Sequence, residues 1–150
     1  MSKPLNRILF IDDDRYFARL YQERLSAQFV VDVCFDVDHA LVALRSDIPY
    51  LAAVVDVMMP PPNGCEEETR NGLSTGIWLV KKARKEIEAK NMAVVFFTNL
   101  LPRLIVDGCE ELQLPAHLLT VTHKLAVPAQ ELPYLVESAI TRARFREKNP

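Results

Sequence analysis

The chain predicts an α/β fold of the doubly wound type, a parallel sheet with helices on both faces. Three observations carry the prediction. Short apolar runs rich in β-branched residues recur without polar alternation, the pattern of strands buried on both sides. A stretch of helical periodicity follows each run, so strand and helix alternate five times and right-handed crossovers join parallel strands. The runs end in polar residues, above all Asp56, which closes Leu51-Ala-Ala-Val-Val and is followed by Val-Met-Met-Pro60. In a sheet whose strands all point one way, such residues collect outside the carboxyl edge, where open α/β sheets bind ligands.

The elements are justified in order. Arg7-Ile-Leu-Phe-Ile11 is a first buried strand and runs into Asp12-Asp13-Asp14. Three adjacent carboxylates repel one another unless they cap a helix or share a cation. Asp14 suits a helix N-cap, ahead of Phe17, Leu20, Tyr21 and Leu25 at helical spacing, which leaves Asp12 and Asp13 to be explained. Phe29–Phe35 is a second strand, and Asp38 is expected to cap a short helix carrying Ala40, Leu41 and Leu44. The turn Asp47-Ile-Pro-Tyr50 leads into the central strand. Residues 59–75 form an extended loop after that strand, with Pro60-Pro61-Pro62, Glu66-Glu67-Glu68 and two glycines before Thr75. From Thr75 one helix is predicted to turn Ile77, Val80, Ala83 and Ile87 inward. Met92–Phe97 is a fourth strand ending in Thr98-Asn99. Pro102 opens a helix with Leu104, Ile105, Gly108 and Leu112, Pro115 breaks it, and His117–Thr122 is a fifth strand ending in His123-Lys124. Pro128 opens the last helix, with an apolar stripe of Leu132, Leu135, Val136, Ala139, Ile140 and Ala143.

A length of 150 residues suits a single domain over 1–150, its core at about residues 7–146. The net charge of −2 gives no reason to expect nucleic acid or an anionic membrane as partner. No apolar run reaches the roughly 18 residues that span a bilayer, and the N-terminus leads directly into the first strand, without a signal peptide. Cys34, Cys65 and Cys109 are odd in number and lack metal-ligand spacing, which fits reduced thiols in a cytoplasmic protein. Cys34, Cys109 and Trp78 are read as packing residues, and His123 as a polar strand end.

Asp12, Asp13, Asp56, Thr98 and Lys124 are thus predicted to share one edge. Clustered carboxylates suit a hard divalent cation: magnesium takes oxygen ligands and uses one or two protein carboxylates together with phosphate oxygens. A strand-end carboxylate beside such a cation can act as an oxygen nucleophile toward phosphorus, giving an acyl phosphate. Lys124 supplies a fixed positive charge and Thr98 a hydroxyl for a phosphoryl oxygen.

On these residues the chain resembles the receiver domain of two-component response regulators, the CheY-like superfamily. The matching motifs are Ile-Leu-Phe-Ile-Asp12-Asp13-Asp14, Val-Val-Asp56-Val-Met-Met-Pro60, Val-Val-Phe-Phe-Thr98-Asn99 and Thr-His-Lys124. The resemblance implies a flavodoxin-like five-stranded sheet of order 2-1-3-4-5. It implies magnesium held by Asp12 (through bound water), Asp13, Asp56 and the backbone carbonyl of Met58. Asp56 would accept a phosphoryl group from a phosphohistidine on a sensor histidine kinase or histidine phosphotransfer protein, with Thr98 as switch hydroxyl and Lys124 as counter-charge. Such a domain catalyses only its own phosphorylation and dephosphorylation, and signals to an effector protein or output domain.

Four departures stand out. Leu125 follows Lys124 where the family has proline, so a trans peptide and a differently placed Lys124 are expected. Val121 holds the position of the aromatic switch residue. Asn99 follows Thr98 where a small residue is common. The loop after Asp56 is about a dozen residues longer than usual, and Gly76 is expected to take the place of the glycine that normally follows the proline. That loop reads either as a tolerated surface insertion or as a recognition element or lid stiffened by its prolines, with Glu66–Glu68 away from the acids. Two other readings compete: a receiver-like docking module that is never phosphorylated, and a haloacid-dehalogenase-type phosphatase using Asp12 and Asp14 with Thr98-Asn99 and Lys124.

Overall fold

The fold is taken from a computed structural model, which describes residues 6–100 and 102–148. Five parallel strands form one sheet of order β2-β1-β3-β4-β5: β1 Arg7–Ile11, β2 Val30–Cys34, β3 Ala52–Val55, β4 Ala93–Thr98 and β5 Leu119–His123. The predicted strand order and parallel pairing are both present. The central strands β1, β3 and β4 are buried almost throughout, which is why their sequences show no polar alternation.

Helices α1 Arg15–Leu25, α2 Val37–Leu44, α3 Thr75–Lys82, α4 Arg84–Ala89, α5 Pro102–Leu112 and α6 Leu132–Lys148 connect and cover the strands. Asp14 caps α1 as expected, its carboxylate accepting from the N–H groups of Tyr16 and Phe17 at 3.1 Å each. On α1, Ala18, Tyr21 and Leu25 are buried, whereas Phe17 stays 44% exposed. On α6 the stripe Leu132, Val136, Ala139, Ile140 and Ala143 is buried and Leu135 half-buried. Among the described residues no helix is long and apolar enough to cross a membrane.

The structure corrects several local expectations. The cap of α2 is Asp36, not Asp38: Asp36 has extended backbone and its carboxylate accepts the His39 N–H at 2.8 Å, while Asp38 lies in the first turn. The helix predicted from Thr75 is two helices, broken at Ala83. At the break Arg45 donates to the Lys82 carbonyl at 3.0 Å, giving one of the carbonyls at the end of α3 a side-chain partner. His117 and Leu118 belong to a 3₁₀ turn, Ala116–Leu118, so β5 starts later than predicted, and another such turn, Ala129–Glu131, precedes α6. Cys34 and Cys109 are half-buried, and burial pushes both thiols up to about 11. The side chain of Leu104 lies outside the described residues.

Two features frame the functional edge. At the opposite, amino-terminal side of the sheet, Arg7 donates to both oxygens of Asp32 at 2.9 and 3.0 Å. Tyr50, just before β3, donates to Asp32 at 2.6 Å. At the carboxyl side, Gly76 opens α3 directly against the chain leaving β3, with its N–H on the Val57 carbonyl at 2.9 Å. A β-carbon on Gly76 would lie 2.3 Å from the Asp56 carbonyl oxygen and 2.8 Å from Val57 Cα. These are backbone atoms, so only glycine at 76 lets the helix reach the Asp56 segment. Gly76→Ala is expected to lower stability by about 3 kcal/mol through overpacking, read as a fall in the urea midpoint.

Candidate functional site

Register brings the strand-end residues together. Ile11 pairs with Cys34 and Val55, and Thr98 pairs with His123. The backbone ladder then continues one residue past the strands. Asp12 N–H donates to Cys34 (3.1 Å), Asp56 N–H to Ile11 (2.9 Å) and Lys124 N–H to Thr98 (2.9 Å). Asp12, Asp56 and Lys124 are therefore held by sheet hydrogen bonds although they lie beyond the strands, and their side chains leave a rigid edge.

The side chains converge. Lys124 Nζ donates to Asp12 Oδ2 at 2.8 Å and to Asp56 Oδ2 at 3.3 Å. Asp12 is 1% exposed and Asp56 8%, and Thr98 is fully buried. Asp12 Oδ1 also accepts the Asp14 N–H at 2.9 Å, and Asp56 Oδ1 the Met58 N–H at 3.2 Å. The Leu100 N–H donates to Thr98 Oγ1 at 3.2 Å. No cis peptide occurs among the described residues, so Lys124–Leu125 is trans as expected. The trans bond leaves the ammonium within reach of both acids. His123 contacts the Asn99 carbonyl at 3.0 Å, a polar strand-end role. Val121 is 40% exposed.

Asp12, Asp13 and Asp56 each offer a carboxylate oxygen, all within 4.8 Å of one another, with Asp13 exposed. Three hard oxygen donors at that spacing, one open to water, fit a magnesium-sized cation that keeps part of its hydration shell. Met58 lines a cavity of about 250 Å³ with Asp13, Met59, Pro60, Asn71, Gly72 and Leu73. The extended loop thus comes back to the acid cluster, which its composition did not reveal. Asp14 is not in the cluster, because its carboxylate is engaged at the α1 cap.

Burial makes the Asp56 carboxylate costly to ionise. Its pKa is pushed up to about 6, since desolvation and the neighbouring Asp12 outweigh the attraction of Lys124 and hydrogen bonding from Lys124 and Thr98. Asp13 is also raised, by burial and by Asp12. Lys124 is raised, because Asp56 and Asp12 favour its charged form over the opposing effect of burial.

Trp78 packs against the core as expected, and its polar edge makes contacts the sequence did not reveal. It is half-buried, its indole N–H donates to Glu68 Oε2 at 3.1 Å, and the Lys82 ammonium lies 5.5 Å from its ring centre. Glu66, Glu67 and Glu68 are exposed and do not line the Asp13 cavity, as expected.

No protein-family model and no curated protein matches the chain. Solved structures do. The chain is similar to a CheY-like response regulator receiver domain protein from Methanospirillum hungatei JF-1 (16% identity, 95% of this chain and 98% of that one, TM-score 0.72). It is similar to the receiver domain of the Francisella response regulator 1452 (22% identity, 91% and 98%, TM-score 0.66). It is also similar to a structure described as adenylate cyclase from Rhodopirellula baltica (18% identity, 97% and 94%, TM-score 0.72). The chain has the flavodoxin-like fold of CheY-like receiver domains. Likeness of this degree establishes the fold; what the fold does here rests on the site.

A carboxyl that holds its proton more tightly folded (about 6) than at its ordinary 3.8 favours folding when protonated. Its contribution is fully present below about pH 4 and is lost as pH rises through about 6, a difference of about 3 kcal/mol. With cations chelated, Asp56→Asn is therefore expected to raise the urea midpoint at about pH 7.5. The gain should shrink toward zero by about pH 4.5.

Proposed function

We propose that the chain is a phosphoacceptor receiver of two-component signalling, a switch modified on Asp56 rather than a turnover enzyme. The observation that carries the reading is the convergence of Asp12, Asp13 and Asp56 within 4.8 Å, with the Lys124 ammonium on two of them.

Asp12, Asp13, Asp56 and the Met58 carbonyl would hold magnesium, which when bound supplies charge neutralisation for the anionic donor. Asp56 Oδ attacks phosphorus. The P–N bond of a phosphohistidine already protonated on its other ring nitrogen breaks as the P–O bond forms, so the leaving imidazole keeps that proton and departs neutral. Lys124 faces the developing charge from its fixed position, and the Thr98 hydroxyl bonds a phosphoryl oxygen. Conversion of Asp56 to a dianionic acyl phosphate redraws the balance around Lys124, which now shares its charge between Asp12 and Asp56. That redistribution is the local event behind a change in protein contacts. The donor is a sensor histidine kinase or histidine phosphotransfer protein, and the receiver of the signal an effector protein or output domain.

The phosphatase reading needs Asp14 beside Asp12 as a second acid. The capping role of Asp14 disfavours it. A docking module that is never phosphorylated would not require three buried polar residues, Asp12, Asp56 and Thr98, on one edge.

Incubation with magnesium and acetyl phosphate is expected to add one phosphoryl group by intact mass, and Asp56→Asn to abolish the gain. Absence of labelling in the parent protein overturns the proposal. So does labelling that survives Asp56→Asn and is lost in Asp12→Asn, the result a phosphatase would give.

A further inference from the structure

The insertion after β3 is folded, and it is folded around the peptide next to the acid site. Thr69 is its centre. It is fully buried, its hydroxyl donates to the Cys65 carbonyl at 2.8 Å, and its carbonyl accepts the N–H groups of Gly72 (3.1 Å) and Ser74 (2.9 Å). Asn71 N–H closes onto the Glu66 carbonyl at 2.7 Å. Around this hub three consecutive residues, Arg70, Asn71 and Gly72, take left-handed φ values of 52°, 56° and 96°. For Arg70 and Asn71 that conformation costs about 1 kcal/mol each. A neutral surface loop has no reason to keep two such residues in succession.

What the strained segment achieves is on the page. The Gly72 carbonyl accepts the Met59 N–H at 3.2 Å, and Thr75 Oγ1, fully buried, donates to the Met59 carbonyl at 2.7 Å. Met58 N–H is already tied to Asp56 Oδ1, and the Val57 carbonyl to Gly76 N–H. A peptide group is planar, so fixing the Met59 N–H also fixes the plane of the Met58 carbonyl. Thr75 holds the carbonyl of the following peptide, Met59–Pro60, so Met59 is fixed on both sides and the Met58–Met59 plane cannot rotate independently. We infer that Gly72 directly, and Thr75 through Met59, are positioning residues for the Met58 carbonyl as a cation ligand: the insertion orients one ligand of the metal that the acid cluster binds. The inference rests on the receiver reading. It explains why the left-handed turn is kept, since a β-carbon on Gly72 would lie 2.8 Å from the Met59 carbonyl oxygen. It also explains why the returning chain, Asn71–Leu73, shares its cavity with Asp13 and Met58.

The test is magnesium affinity by calorimetry on the full chain, supported by the emission of Trp78, the single tryptophan, whose indole is bonded to Glu68 of the insertion. Thr75→Val keeps the shape and loses the hydroxyl, while Thr75→Ser keeps the hydroxyl. Thr75→Val and Gly72→Ala are expected to weaken magnesium binding roughly tenfold, the low end for outer-shell partners of metal ligands. Thr75→Ser should stay within about twofold of the parent, and the Thr75 pair decides the matter if Gly72→Ala does not fold. Parent-like binding in Thr75→Val, or equal losses in the valine and serine variants, overturns the inference and leaves the receiver reading standing. A parent protein that binds no magnesium overturns both.

Discussion

The Lys124 ammonium lies between two carboxylates that neighbouring strands carry to the same place, and the rest of the edge is arranged around that fact. Asp12 and Asp56 are nearly inaccessible to water, so neither can be ionised cheaply without an opposite charge at bonding distance. Lys124, whose side chain is 11% exposed, provides that charge only because β4 and β5 stay in register for one residue beyond the last strand pair. A slip of one position would turn Lys124 to the other face and leave a pair of buried like charges. Sheet pairing, burial and charge balance are therefore one constraint here, and the raised Asp56 carboxyl measures how incompletely the lysine alone meets it.

The same constraint explains how much could be read from the residues. Once the strands were taken as parallel, Asp12, Asp56, Thr98 and Lys124 had to share an edge, because the direction of a parallel sheet fixes where strand ends lie. Asp14 as a cap was equally local, decided within a single turn. Features set by distant partners could not be read. At the break at Ala83 the Lys82 carbonyl finds its side-chain partner in Arg45, far back in the chain. The choice of Asp36 over Asp38 as cap depends on backbone angles that two acids two residues apart do not distinguish. Trp78 packs on the core and also ties the insertion to it through Glu68, a second partner that spacing alone does not show. The insertion itself has no periodicity. Its order comes from one buried threonine and a left-handed turn, signals too small to separate from ordinary loop composition, although Thr75 and two glycines in the neighbourhood were hints.

The site also separates what the fold establishes from what its residues do. The parallel five-stranded sheet is shared with receivers and with a structure bearing another activity in its description. The acid cluster and its lysine are what point toward phosphoryl chemistry. On β5 Val121 is an exposed aliphatic side chain, and the strand's one ring, His123, is held on the Asn99 carbonyl. Asp56 is bonded to Ile11, Met58 and Lys124, and the insertion is tied to the next residue along, Met59, through Gly72 and Thr75.

The Arg7–Asp32–Tyr50 cluster has a mechanical corollary. It fastens β1, β2 and the lead-in to β3 at the margin farthest from the acids, through charge-assisted bonds of 2.6–3.0 Å. Parting β1 from β2 there would break a bidentate ion pair as well as the backbone ladder, so fraying of this corner is opposed by side chains and not by the sheet alone.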